Sequence, residues 1–256
     1  MPHRPAAIVS AMHEELRALL PLLNDRHTVR LAGRDFHHGV IHDQPVVLVL
    51  AGIGKVAAAT TAVLLMHAYD VSRLVFTGVA GGLAAGVEVG DVVLARQLLQ
   101  HDMDASPLFP RFEVPLTGRS HFDADAALTD ALAAAALRSS GGRVHQGLIV
   151  SGDRFVASAV DSDALRALLP DALAVEMEGA AVAQVCADFG RPFAVVRTIS
   201  DRADDTAHVD FARFIEEVAS ATTRAIIEAW LLHARASAGP LPSGPSALSG
   251  GGCGTP

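Results

Sequence analysis

Four short segments carry side chains whose types and spacing suit the breaking of a bond. Phe193-Ala-Val-Val-Arg-Thr-Ile-Ser-Asp201 is an apolar run that ends in Ser200 and Asp201, with Arg197 inside it. Ser10-Ala-Met12-His-Glu14-Glu15 follows a second apolar run. Ala174-Val-Glu176-Met177-Glu178 stands before an Ala-rich stretch, and Val150-Ser-Gly-Asp153-Arg154-Phe155 closes a fourth run. Each has a bland reading as well. Asp201 can cap a helix. The glutamates can be acidic first-turn residues facing a helix dipole. Asp153 and Arg154 can form a local ion pair. Taken together, however, carboxylates stand at three strand ends beside an aromatic ring. Carboxylates stabilise developing positive charge and move protons, so such a set suits a reaction through a cationic transition state.

Two Gly-rich stretches, Ala51-Gly-Ile-Gly54 and Thr77-Gly-Val-Ala-Gly-Gly82, read as turns after strands. Glycines there let backbone N–H groups approach a ligand. Neither stretch has Walker or Gly-x-Gly-x-x-Gly spacing.

The elements that must position these residues follow from periodicity. Strands are expected at Ala6–Ser10, Val29–Leu31, Phe36–Ile41, Val46–Leu50, Leu74–Phe76, Val92–Leu99, Val144–Val150, Ala172–Val175 and Phe193–Ser200. Helices are expected from Glu14 through Leu23, and at Lys55–Tyr69, Ala124–Leu137, Ala164–Leu169, Gly179–Phe189 and Phe211–His233. Strands alternating with helices predict an α/β domain with helices on both faces of a largely parallel sheet. Ligands of such sheets sit beyond the carboxyl ends of the strands, where Asp201 stands. The polar, Pro-containing stretch His101–Phe122 has no steady period, and a loop of that length is expected to be functional or mobile.

Composition narrows the function classes. The chain has 256 residues, half of them hydrophobic, which suits one sizeable core. The net charge of −8 with dispersed acids points away from nucleic acid and anionic membranes as partners and toward a small molecule. The first apolar run is too short for a signal-peptide core or a membrane span. Cys186 and Cys253 do not read as a disulfide pair, so a cytoplasmic protein is expected. His37 and His38 adjoin on a strand and point to opposite faces. No metal and no cofactor are expected. Residues 1–235 read as one domain and 236–256, rich in Ala, Ser, Gly and Pro, as a disordered tail.

In this order the motifs resemble the nucleoside phosphorylase/nucleosidase superfamily, in particular the bacterial 5′-methylthioadenosine/S-adenosylhomocysteine nucleosidases. The matching pieces include Ala11-Met-His-Glu-Glu15, Ala51-Gly-Ile-Gly-Lys-Val56, Thr77–Gly82, Val89-Gly-Asp91, His101-Asp102, Gly147–Asp153, Ala174–Glu178 and Arg197-Thr-Ile-Ser-Asp-Arg-Ala-Asp204. They run from about residue 5 to 234. The resemblance implies a three-layer α/β fold whose central mixed sheet partly closes into a barrel, with flanking helices. It implies hydrolysis of the purine–ribose bond of a 5′-thio-substituted adenosine by a homodimer.

Roles carried over by the resemblance fall on matching residues. Glu15 would activate water and Asp201, positioned by Ser200, would protonate the purine at N7. Glu178 would hold the ribose hydroxyls, with Met177 and Glu176 beside it. Phe155 would stack on adenine and the Val156 backbone would read its edge. Arg197 would help hold the water, Gly81 belongs to the Gly-rich binding turn, and Met12, Ile53 and Phe211 would line the 5′-thio pocket. The sequence departs from the family at Val79, where a hydroxyl residue is common, and in the loop His101–Phe122, which in these nucleosidases closes the neighbouring subunit's 5′ pocket. Alternatives are a purine nucleoside or methylthioadenosine phosphorylase, and a nucleosidase for 6-amino-6-deoxyfutalosine. Phosphate would meet repulsion from Glu15, which favours water.

Overall fold

Short Val-, Ile-, Leu- and Ala-rich runs bounded by turn residues form the strands of a single sheet. The structure, a computed structural model, describes residues 4–203, 214 and 218–238. Phe211 and residues 239–256, the greater part of the expected tail, lie outside the described residues. In chain order the elements are β1 (Ala6–Ser10), α1 (His13–Leu19), β2 (Asn24–Leu31), β3 (Arg34–Ile41), β4 (Gln44–Leu50), α2 (Lys55–His67), β5 (Arg73–Gly82), β6 (Val92–Gln100), β7 (His121–Asp123), α3 (Ala126–Ser139), β8 (Val144–Ser151), α4 (Ala159–Leu168), β9 (Ala172–Glu176), α5 (Gly179–Asp188), β10 (Phe193–Asp201) and α6 (Ser220–Ala238).

The sheet runs β10-β6-β8-β9-β5-β1-β4-β3-β2, and β10 also pairs with β5. That extra pairing closes β5, β10, β6, β8 and β9 into a five-stranded barrel from which β1, β4, β3 and β2 extend. Side chains of α2 and α5, among them Leu65, Met66, Val182 and Cys186, pack in one apolar cluster with the sheet. Side chains of α1, α3 and α6, among them Leu19, Leu132, Ile227 and Trp230, pack in a second. The mixed barrel and flanking helices agree with the expected fold class.

Two sets of parallel strands make the barrel. Strand β5 is parallel to β1 and β10, while β6, β8 and β9 are parallel to one another. The sets meet antiparallel, and β5 touches β9 only near their carboxyl ends, Gly81 opposite Val175 and Gly82 opposite Ala174. Strand ends that carry Asp201 and Glu176 are thus delivered to one place.

The stretch Thr77–Gly82 is not a turn. It is the second half of β5, paired with β10 through register Thr77↔Val196 to Gly81↔Asp201. Its glycines make room instead of bending the chain. A Cβ on Gly78 would stand 2.8 Å from Arg197 Nη1, and one on Gly81 would stand 3.0 Å from Asp201 Oδ1. Helix α4 begins five residues before its expected start, at Ala159, because Ser158 caps it by accepting from the Asp161 N–H. The last helix runs to Ala238, three residues past the expected domain boundary.

Candidate functional site

A cavity of about 430 Å³ opens at the joined strand ends. Its wall includes Met12, Ile53, Val79, Gly81, Phe155, Val156, Glu176, Met177, Glu178, Ser200 and Asp201. These come from the segments after β1, β4 and β8, from the β9–α5 junction and from the ends of β5 and β10. The sequence signals scattered over the chain therefore converge. Arg154 and Ala11 also line the cavity, although the sequence suggested no role there.

Glu178 is the residue before α5, and the N–H of Gly54 donates to its Oε1 at 2.8 Å. Gly54 has φ +92°, a conformation natural to glycine. Burial raises the Glu178 carboxyl to about pH 7, and the Glu176 carboxylate adds to the rise. Asp201 ends β10 rather than capping a helix. Ser200 Oγ donates to its Oδ2 at 2.7 Å, and the Ala203 N–H donates to its Oδ1 at 2.7 Å.

Glu15 lies in the first turn of α1 yet is fully buried, so its place is not explained by the helix dipole alone. Thr223 Oγ1 donates to Glu15 Oε1 at 3.1 Å, and the Met12 N–H donates to Oε2 at 3.4 Å. Burial lifts its carboxyl from 4.5 to about 7, against the opposing pull of Arg197. Glu15 is not among the residues that line the cavity, but Met12, whose N–H bonds it, is. Thr223 has no local sequence signal, because it approaches from a helix 208 residues away.

Two expected contacts differ from the ligand-facing roles implied earlier. Arg197 is fully buried and absent from the cavity wall. Its Nη2 donates to Glu176 Oε2 at 2.6 Å, and its guanidinium lies 4.2 Å over the Phe76 ring. Every residue of β10 is buried, and a charge buried there needs a partner. Glu176 touches the cavity, but its carboxylate is engaged by the protein. Besides Arg197 it accepts from Ser151 Oγ and from the N–H groups of Glu178 and Gly179. An anion at the start of α5 is favourable there. Strand β9 stops at Glu176, and Glu178 stands immediately before α5. Arg197 and Glu176 thus hold the site from behind. Ser151, which also accepts from the Ala180 N–H at 2.7 Å, belongs to the same support.

Carboxylates and an aromatic ring around one apolar cavity, at the strand ends of a mixed α/β barrel, define an enzyme site for a small organic molecule. The chain belongs to the phosphorylase superfamily, whose family model matches residues 5–231. It is similar to solved structures of 5′-methylthioadenosine/S-adenosylhomocysteine nucleosidases. The Neisseria meningitidis enzyme, in complex with methylthio-immucillin-A, is 34% identical with a TM-score of 0.85, covering 90% of this chain and 99% of that one. The Streptococcus pneumoniae enzyme, with the transition-state inhibitor MT-ImmA, is 35% identical with a TM-score of 0.82, covering 89% and 98%. A futalosine hydrolase mutant of Helicobacter pylori is 33% identical with a TM-score of 0.82, covering 88% and 98%.

Proposed function

We propose that this enzyme hydrolyses the N-glycosidic bond of 5′-methylthioadenosine and S-adenosylhomocysteine, releasing adenine and the 5-thioribose product. The reaction would serve salvage of the by-products of S-adenosylmethionine. The observation that carries the reading is the meeting of Glu178, Asp201 and Phe155 in one apolar cavity, with the buried Glu15 bonded to the N–H of Met12 in its wall.

Each residue has a task that the chemistry demands. The ribosyl carbon becomes cationic as the bond to adenine stretches, and the carboxylates around it favour that charge. Adenine leaves readily only once protonated, which is the task of Asp201 as general acid at N7. Water is a weak nucleophile, and Glu15 takes its proton. A carboxyl titrating near 7 is a stronger base than one near 4.5, so burial suits Glu15 to this work. Glu178 binds the ribose hydroxyls, held in place by the Gly54 N–H. Phe155 stacks on the base and Val156 offers its backbone to the base edge. Met12 and Ile53, which line the cavity, border the 5′ substituent.

The enzyme works as a cytoplasmic homodimer in this reading. Ile53 and Phe155 line the cavity yet remain 62% and 45% exposed, which suits covering by ligand and by a second subunit. A fully active monomer at high dilution would overturn the dimer requirement.

The decisive assay offers 5′-methylthioadenosine with and without phosphate. Adenine and free methylthioribose, independent of phosphate, is the expected result. A sugar phosphate formed only with phosphate would make the enzyme a phosphorylase and remove the role of Glu15. Adenine release from 6-amino-6-deoxyfutalosine alone would move the reading to that substrate.

A further inference from the structure

Three charged residues from separate motifs of the sequence have no part in the chemistry above: Lys55, Asp102 and Asp153. The structure brings them to one point. Lys55 Nζ donates to Asp102 Oδ1 at 2.7 Å and to Gln100 Oε1 at 3.2 Å, and it lies 4.0 Å from Asp153 Oδ2. The Lys55 backbone N–H donates to Asp153 Oδ1 at 2.7 Å. The Asp153 N–H in turn donates to Asp102 Oδ2 at 2.9 Å. Each of the three residues therefore holds the other two. Gln100 extends the set to α5 through a 2.8 Å bond from its Nε2 to Gln184 Oε1.

The composition of the chain singles out the centre of this ring. Lysine and arginine together number 20, and Lys55 is the only lysine. Its side chain is only 17% exposed. A compact ammonium with three rotatable donors fits acceptors converging from different segments, whereas a planar guanidinium fork does not. The pairing is also reflected in Asp102. Burial pushes its carboxyl upward, but hydrogen bonds from the Lys55 ammonium and the Asp153 N–H outweigh this and hold it below the usual range.

We propose that Lys55, Asp102 and Asp153 form an electrostatic clasp that positions the nucleoside-binding wall of the cavity. The clasp joins the segment after β4 to the segments after β6 and β8. The first carries Gly54, whose N–H holds Glu178. The last carries Phe155 and Val156, two and three residues beyond Asp153. Glu15 and Asp201 follow β1 and belong to β10, outside the clasped segments. The three residues are positioning residues, and their loss acts on binding ahead of chemistry. What the wall binds rests on the nucleosidase reading.

The test compares Lys55→Met, Lys55→Arg and Asp102→Asn with the unmodified enzyme. Amide hydrogen exchange is followed over residues 51–57 and 151–157, and steady-state kinetics on 5′-methylthioadenosine give KM and kcat. The expected result is exchange about tenfold faster in both segments and KM raised about tenfold, with kcat within about threefold. Lys55→Arg should not rescue KM. Unchanged exchange in both segments would overturn the clasp. So would a fall in kcat and thermal midpoint at unchanged KM, the mark of a merely structural role. Should Lys55→Met fail to fold, Asp102→Asn, which keeps the ammonium, decides the same question. If the unmodified enzyme releases no adenine, the functional reading fails, while the exchange data still judge the clasp.

Discussion

The floor and the lip of the cavity differ in how far they are built before a ligand arrives. In and beneath the floor, Glu15 and Arg197 are fully buried and Glu178 and Glu176 nearly so, Arg197 and Glu176 as an ion pair. At the lip, Ile53 is 62% exposed and Phe155 45%. Buried charge is costly unless every group has a partner, so the floor must be assembled by folding itself. Apolar side chains at a lip cost little while exposed, and their burial can be left to binding. The floor should therefore govern rate and pH dependence, and the lip affinity.

Glu15→Gln tests the floor most severely. Without its base, kcat should fall by about 10⁴-fold, while adenine binding measured by calorimetry stays within about threefold. Stability moves the opposite way. Glu15 titrates near 7 in the native protein and near 4.5 in the unfolded chain. Folding thus retains a proton that the unfolded chain gives up. The enzyme is most stable below about pH 4.5 as far as this group is concerned, and loses that contribution as pH rises through 7. At pH 8 the glutamine variant should be more stable by on the order of 3 kcal/mol, seen as a higher denaturation midpoint. Equal stability at pH 5 and pH 8 in the unmodified enzyme would break the contrast between floor and lip. In the same pH range kcat/KM should rise through about 7 as Glu15 loses its proton.

Asp201→Asn comes next. Loss of about 10³-fold in kcat is expected for adenine-releasing substrates. A riboside with a nitrophenolate leaving group needs no protonation, and the same variant should lose no more than about tenfold on it. An equal loss on both substrates would mean that Asp201 holds the floor in shape rather than giving a proton.

These acids show how much of the molecule was legible from its sequence. Glu15, Glu178 and Asp201 were readable because each lies at or within about five residues of the end of an apolar run, and strand ends are where α/β sheets bind ligands. The barrel's strand order was not readable from local pattern, since it depends on β5 pairing with β9 and β10 at long range. The same long-range pairing made Thr77–Gly82 look like a turn. Glycine signals a bend when read locally, but here Gly78 and Gly81 yield space to Arg197 and Asp201. Arg197 and Glu176 were recognisable as part of the site, yet their direction was not. Which way a charge faces depends on its partners, and theirs stand 21 residues apart in sequence. Thr223 and the Lys55 clasp join segments still more distant.

At the lip, Phe155→Ala should raise KM about tenfold through loss of base stacking and leave kcat within about threefold. A fall in kcat at unchanged KM would place Phe155 with the floor.

Val79→Ser sharpens the boundary between the two regions and should have the smallest effect. Val79 lines the cavity on β5, opposite Thr198 of β10. Its neighbour Gly78 faces Arg197 and the next residue but one, Gly81, faces Asp201. A serine there removes partly buried methyl groups, a loss of about 1 kcal/mol, and adds a donor beside the floor. If the floor already holds its water through Glu15, the hydroxyl is superfluous and kcat on 5′-methylthioadenosine should change by less than about threefold. A gain of tenfold or more would mean that the apolar wall, rather than proton removal by Glu15, limits the attack of water. The valine would then count as part of the floor, and the division drawn here would run through β5.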